Sequence, residues 1–375
     1  MTLNQIQSPP EERFGDRVQS VPSGSIWQRI GSRQATPVVV ATVLVFAISA
    51  VIAPRSLLQA SLLAMIVPAA VLAVAAVGQT LVVQQKGIDL AAPGYISLAA
   101  TIVVFAPQKL GVPSGIAVLL ALIVAMLAGL LNGFFITRLN VTPIISSLAL
   151  NSLLFGVMWT VSGGNALNAP AALTWFAKNS LLGLPLIVWL AVVLVAVTAI
   201  LMSKTSIGRR FVGVGANPVT ARATGVKVNR YIVGSYVASG FFAGLAGVLL
   251  VAYLGKSSIT IGAPYLFPII SAVIVGGAVL SGGRGSVVAS AIAALFLSQV
   301  VQMVLTLGAP ESIRLLVDAL AIALASIVRI VPWSRLFRGK RRAAGGGNRS
   351  PRPRDRDTHA RTPNSEGRET HVRST

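Results

Sequence analysis

No cysteine occurs among the 375 residues, so neither a disulfide framework nor a thiolate nucleophile is available. Histidine is almost as scarce. The two present, His359 and His371, both lie in the polar C-terminal tail. The apolar body therefore lacks the imidazole that Ser-His-Asp catalysis and most zinc sites require. Charge is sparse at 11% of residues, against roughly 25% in soluble domains. Acids are the scarcest of all, with Asp89 the only Asp or Glu between residues 17 and 310. These absences exclude a disulfide scaffold and an ordinary soluble enzyme.

Apolar residues make up 54% of the chain, and the mean hydropathy is +0.78. One soluble core of this size has no room for so much apolar surface. Ten membrane helices of about 20 residues each need about 200 apolar-rich positions, which is what this composition supplies. The expected fold is an all-α, polytopic membrane protein with about ten transmembrane helices. Apolar runs bounded by breakers place the spans at 37–53, 61–84, 92–108, 115–137, 142–161, 181–202, 231–253, 266–281, 286–307 and 312–331. The shortest, 266–281, is also the candidate for a re-entrant segment. Residues 1–34 read as a disordered cytoplasmic arm, 35–332 as the permeating body, and 333–375 as a disordered basic tail.

The formal net charge of +21 is unevenly spread, at +1 over 1–34, +12 over 35–332 and +8 over 333–375. A sequence pI near 11.7 in a soluble protein points to nucleic acid, but here basic residues mark cytoplasmic loops, so no nucleic-acid partner is expected. The loop 203–230 holds Lys204, Arg209, Arg210, Arg222, Lys227 and Arg230 without an acid. It is assigned to the cytoplasm, and with ten spans both termini fall inside. Trp27 and Trp333 flank the set as interfacial anchors, membrane lipid being the first partner.

Within that loop, Asn217 is a good N-cap, Pro218 suits the first helical position, and Gly225 suits a left-handed position after the last turn. A short capped helix over 218–224 is expected, too short and too polar to span. Two readings stand: a helix that docks a partner, with Thr220 and Arg222 on its surface, or an idle interfacial helix. Two further segments are interrupted by small residues, one with Gly87 and Gly94 around Asp89, the other with Gly276, Gly277, Gly282 and Gly283. Paired interruptions, one in each half, fit a transporter built from two structural repeats.

An acid at membrane depth faces a cavity or a partner. Asp89 either lines a pathway or is neutralised by Lys86 near the cytoplasmic mouth. Gln79, Asn132, Asn151, Gln299 and Gln302 either bond a polar solute or bond neighbouring helices. Arg314 and Asp318 are spaced to pair on one helix face. Gly129/Gly133 and Gly240/Gly244 form GxxxG pairs, with close helix packing as the default and a dimer face as the alternative. No nucleotide motif is present. Gly255-Lys256-Ser257 has Leu250 where a Walker A loop needs glycine, and Gly213-Val214-Gly215 is followed by Pro218 where a third glycine is required.

From about residue 60 to 330 the chain resembles the permease subunits of ribose-type bacterial ABC importers. The resemblance rests on Gly87-Ile88-Asp89-Leu90, on the loop from Gly208 to Gly225, and on Gly276 to Ser286, in that order. It implies a type II importer fold in a bacterial cytoplasmic membrane, paired with a second permease copy, identical or related. It implies no cofactor in this chain, with ATP and magnesium held by a separate ABC ATPase subunit. It implies a periplasmic or lipid-anchored binding protein that delivers a monosaccharide or similar small polar solute. On the resemblance, 218–224 is the coupling helix, shaped by Asn217, Arg222 and Gly225. Relatives of this fold also carry nucleosides, branched-chain amino acids and furanone signals. Departures at Lys86, Ala91, Ala92, Pro93, Leu266 and Pro268 leave the solute open among these classes. An ion-coupled carrier and an intramembrane enzyme are the remaining alternatives, the latter opposed by the missing His and Cys.

Overall fold

In the computed structural model the described residues are 26–308 and, beyond them, 310, 312, 313, 316 and 319. Most of the span expected over 312–331, the Arg314–Asp318 pair, the Trp333 anchor and the basic tail lie outside them, while Trp27 falls in the first turn of the first helix. The first helix, α1 (Ile26–Ile52), carries Pro37 in its interior and takes in residues 26–34, which the polar composition had assigned to the arm. Proline is tolerated inside membrane-type helices because neighbouring groups re-satisfy the freed carbonyl. A 3-10 turn at Pro54–Leu57 leads into α2 (Gln59–Gln84), followed by α3 (Ala92–Leu110), α4 (Ser114–Arg138) and α5 (Pro143–Ser162).

The segment 162–185 is more ordered than its Gly/Asn/Pro content indicates. It contains α6 (Ala171–Lys178) and a two-residue hairpin, Ser180–Leu181 with Leu184–Pro185, turning on Leu182 and Gly183 at positive φ. The sixth span consequently begins at α7 (Leu186–Lys204), five residues later than the apolar run starts. The basic loop is itself helical, as α8 (Ser206–Ala216) and α9 (Pro218–Ala223). The chain then crosses in α10 (Val228–Leu254), runs through a 3-10 turn at Ala263–Tyr265 into α11 (Leu266–Val275), and ends its described part in α12 (Val287–Thr306).

Among the described residues, seven helices are long and apolar enough to span a bilayer. At ten residues α11 is about 15 Å long, half the thickness of a bilayer core. It is not the full span expected over 266–281.

The interior is organised by α2 and α10, both buried over most of their length. In lipid no hydrophobic force sorts one apolar helix against another, so close van der Waals packing through small residues decides the neighbours. Gly78 of α2 lies on the Ser239 backbone. Each GxxxG pair packs against the other's helix inside the chain: Gly129 and Gly133 of α4 lie on Tyr236 and Val233, while Gly240 and Gly244 of α10 lie on Ala125. Neither pair is free to form a dimer face. Around this centre α1, α4, α5 and α7 turn large apolar side chains outward, among them Val43, Leu119, Ile145 and Val197. That is the pattern of helices bathed in lipid.

Candidate functional site

At one end of the bundle α9 stands out as a short rigid knob. Asn217 Oδ1 accepts from the amides of Val219 and Thr220, both at 3.1 Å, and so satisfies two orphan donors of the first turn. The other end is closed by Gly225 N–H to Arg222 O (2.9 Å) and Val226 N–H to Ala221 O (3.0 Å). Gly225 sits at φ +79°, the left-handed value the sequence predicts for it. The helix ends at Ala223, with Thr224 as its cap. No residue of α9 is buried, and Val219, Thr220 and Arg222 are exposed.

The preceding helix, α8, was not legible as a helix because half its positions are glycine or charged. Its inner face is Gly208, Phe211, Val214 and Gly215, all buried. Phe211 meets Tyr231 of α10 edge-on at 6.4 Å. Gly215 presses its backbone onto the carbonyl of Gln84, the last residue of α2, where a Cβ would collide with that oxygen. The same carbonyl accepts from the Gly283 amide at 2.9 Å. Gln84 Nε2 donates to Gly285 O (2.8 Å), and Gln85 Nε2 donates to Phe211 O (2.8 Å). Thus the foot of α2, the foot of α8 and the glycine-rich segment 276–286 form one backbone-to-backbone junction directly behind the knob. Gln84 and Gln85 were missed by the sequence reading. The available signal was a pair of amides closing an otherwise apolar helix.

From this junction the chain turns back into the bundle through Gly87, which packs under the Tyr236 hydroxyl, to Asp89. Asp89 is 1% exposed. Its Oδ1 accepts from Ala91 N–H (3.0 Å) and from Asn132 Nδ2 (3.2 Å). The hydroxyls of Tyr95 and Ser239 face the same carboxyl group. Asn132 is completely buried, with Nδ2 also 3.4 Å from Tyr95 Oη and Oδ1 accepting from Ser146 Oγ at 2.7 Å. Gln79 clamps the Asp89 backbone from both sides: its side-chain N donates to Asp89 O and its side-chain O accepts from Asp89 N–H, both at 3.2 Å.

Three of the four pathway candidates, Gln79, Asp89 and Asn132, therefore form one buried cluster tying α2, α4 and α10 to the start of α3. Lys86 does not neutralise it, because its stem lies over Gly282. Asn151 stands apart on α5, its Oδ1 unpaired and close to Gly94. Gln299, also buried, instead ties α12 to Ser49 (3.0 Å) and Ser56 (3.3 Å). Of the remaining glycines, Gly276 rests on the Ser290 backbone, and Gly277, Gly282 and Gly283 have φ of +100°, +83° and +68°.

A second irregular stretch reaches the start of α3 from the opposite end. After α10 the chain is pinned beside 167–169 by Ala169 N–H to Gly255 O (2.9 Å) and Ser257 N–H to Leu167 O (2.8 Å). It then dips inward, and Gly262 N–H donates to Ser97 Oγ at 3.0 Å. Gly262 packs on Pro93 and Ile96, and Ile96 packs in turn on Gly247, eight residues before Gly255. At 1.5 Å per residue, Gly262 lies about 12 Å inside the end of α10. The first turns of α3 and the approach to the half-length α11 therefore meet inside the bundle. Discontinuous helices that meet at such depth are the usual location of transporter sites. The apolar runs leave 254–265 as a connection between spans, and the run Gly262-Ala263-Pro264 before an apolar segment is the signal for a break.

A family described as branched-chain amino acid transport system / permease component matches residues 61–327, most of the chain. The chain belongs to this permease family. Among curated relatives, the autoinducer 2 import system permease protein LsrD of Yersinia enterocolitica is 32% identical over 263 residues, covering 68% of this chain and 79% of that protein. The protein of the same name from Shigella flexneri is 33% identical over 256 residues, covering 66% of this chain and 76% of that one. No solved structure matches. The expectation of an ABC-importer permease, drawn from the motifs at Gly87, Gly208–Gly225 and Gly276–Ser286, is borne out. The chain is a multi-pass inner-membrane protein and a transporter subunit, not a catalytic enzyme.

Proposed function

We propose that this permease moves a monosaccharide or a similar uncharged, hydroxyl-rich solute, driven by a separate ATP-hydrolysing subunit that docks on α9. The observation that carries the reading is the junction behind the knob. A doubly capped helix with no buried residue is fused through Asn217 to α8, whose Gly215 lies on the α2 carbonyl that also holds Gly283. Force applied to α9 reaches α2 through backbone contacts, without a soft side chain between them. From there Gln79 and Asp89 relay it to the start of α3, where the two irregular segments meet. Asp89 is a positioning residue in this scheme, since its Oδ1 holds the Ala91 amide and the Asn132 side chain, while Oδ2 has no hydrogen-bond partner among the described residues. Asn151 Oδ1, buried beside Gly94 and without a partner among the described residues, is an acceptor open to a solute hydroxyl.

In this scheme ATP and magnesium belong to the partner, a reading supported by the lack of a nucleotide motif in this sequence. In this reading the α8–α9 end and both termini face the cytoplasm, a binding protein delivers solute at the α6 end, and a second permease, identical or related, completes the path. The relatives are named for autoinducer 2 import, and that solute belongs in the same small, polar class. An amino acid fits less well. A zwitterion needs a carboxylate or its equivalent for the ammonium, and the one acid among the described residues is buried, with its Oδ1 held by Ala91 and Asn132.

The test is uptake in liposomes holding the permease with its ATPase and binding protein. Labelled pentoses, hexoses and autoinducer 2 are expected to be taken up over leucine. Arg222→Glu reverses the charge on the knob and Gly225→Val strains its αL cap. Each is expected to cut uptake at least tenfold while ATP hydrolysis continues and membrane insertion is normal. Uptake at the wild-type rate in both variants would reject docking through α9.

A further inference from the structure

The outward faces of α4 and α10 enclose a groove of about 620 Å³. Its walls are apolar, with Leu127, Leu131, Phe134, Val233, Gly234 and Val237 among them, and Arg138 and Arg230 stand with Asn229 at one mouth. We propose that this groove is a binding site for an anionic phospholipid, with an acyl chain along the walls and the phosphate between the two arginines.

Three observations fix this occupant. The first is length. Leu127 to Arg138 is eleven residues of helix, about 16 Å, which matches one leaflet of a bilayer core about 30 Å thick. The groove accordingly spans one leaflet and opens at headgroup depth.

The second is charge. Among the described residues the only carboxylate is Asp89, buried in the cluster with Asn132, so neither arginine has an ion partner among them. Two exposed arginines at the end of an apolar slot supply the attraction for a lipid phosphate, and each basic residue near an anionic surface strengthens binding several-fold.

The third is exclusion of a second copy. Two-fold packing on this face would bring Arg138 and Arg230 toward their own equivalents with no acid nearby to separate them, and like-charge juxtaposition opposes such an interface.

The groove also offers a clean test. A Cβ at Gly234 meets nothing within 4 Å, so a larger side chain there enters the groove without disturbing the fold. The full chain is purified from nanodiscs containing equal phosphatidylglycerol and phosphatidylcholine, and retained lipid is counted by native mass spectrometry. The wild type is expected to retain phosphatidylglycerol over phosphatidylcholine at least tenfold. Arg138→Gln with Arg230→Gln is expected to bring the ratio to near one. Gly234→Leu is expected to displace the lipid while leaving the melting profile unchanged. Retention unaffected by Gly234→Leu, or a preference that survives loss of both arginines, overturns the proposal. So does a wild-type dimer that holds no lipid and is broken by Gly234→Leu, which would assign the groove to a second copy.

Discussion

Gly215→Ala is expected to lower uptake by more than tenfold, while Gly213→Ala, two residues away on the same helix, leaves it at the wild-type level. The two glycines share a helix and a substitution, so propensity acts on both alike and favours alanine by up to about 1 kcal/mol. Their surroundings separate them. A Cβ at Gly213 meets nothing within 4 Å. A Cβ at Gly215 falls on the Gln84 carbonyl oxygen and comes within 3.0 Å of the Gly283 amide. Both are backbone atoms with no rotamer to yield, so α8 must lift away from α2. Overpacking of this kind costs about 1–3 kcal/mol. It also pulls apart the Gly283–Gln84 hydrogen bond, a further loss of about 1 kcal/mol. Since α9 itself is untouched, the partner still docks and ATP is still hydrolysed, but the stroke no longer reaches α2. Paired uptake and hydrolysis measurements on the two variants check this. Equal uptake in both would show that the junction transmits nothing.

Asn132→Leu is expected to cost on the order of 3 kcal/mol in stability and to abolish uptake. Leucine nearly matches asparagine in shape, so the loss is not a cavity effect. It removes the side-chain donor to Asp89 Oδ1 and to Tyr95 Oη and the acceptor for Ser146 Oγ, all inside a site with no exposed member among the three helices that form it. A buried carboxylate that loses one of its donors bears a desolvation penalty with less to offset it. Asp89→Asn is expected to behave oppositely. An amide oxygen at that position still accepts from Ala91 and Asn132, so the turn survives and uptake stays within threefold of wild type. In the Asn132→Leu background Asp89→Asn is expected to recover at least 1 kcal/mol, because the group left behind is then uncharged. Thermal unfolding in detergent and liposome uptake give both readouts. Wild-type stability with uptake abolished in Asp89→Asn would mean that the carboxylate touches solute, and the positioning role would fall.

Features governed by near neighbours in the chain were legible. The Asn217 cap bonds residues two and three positions on, Pro218 and Gly225 act through their own φ angles, and the six-residue knob appeared where the sequence places it. The membrane character followed from composition and from apolar runs of spanning length. Less legible were segments whose composition misleads. The glycines and arginines of α8 disguise a helix whose inner face is small because it must lie against backbone. Pro37 reads as a start and is an interior position of α1. The stretch 255–265 reads as a connection between spans and dips to Ser97, because a side-chain oxygen and the bare backbone of Gly262 complete one another across 165 residues.

By itself, then, the amino-acid sequence determined that the chain enters a membrane repeatedly, that it holds no nucleotide motif, and that it carries a capped polar knob between apolar spans. Tertiary structure alone decided that each GxxxG pair packs against the other's helix, that Gln79 and Asn132 close around Asp89, and that Gly215 meets Gln84. The reason is physical. Helix formation and capping are settled within a few residues by backbone hydrogen bonds. In lipid, by contrast, one apolar helix surface is worth as much as another, and partners are chosen by close fit and buried polar contacts between distant segments.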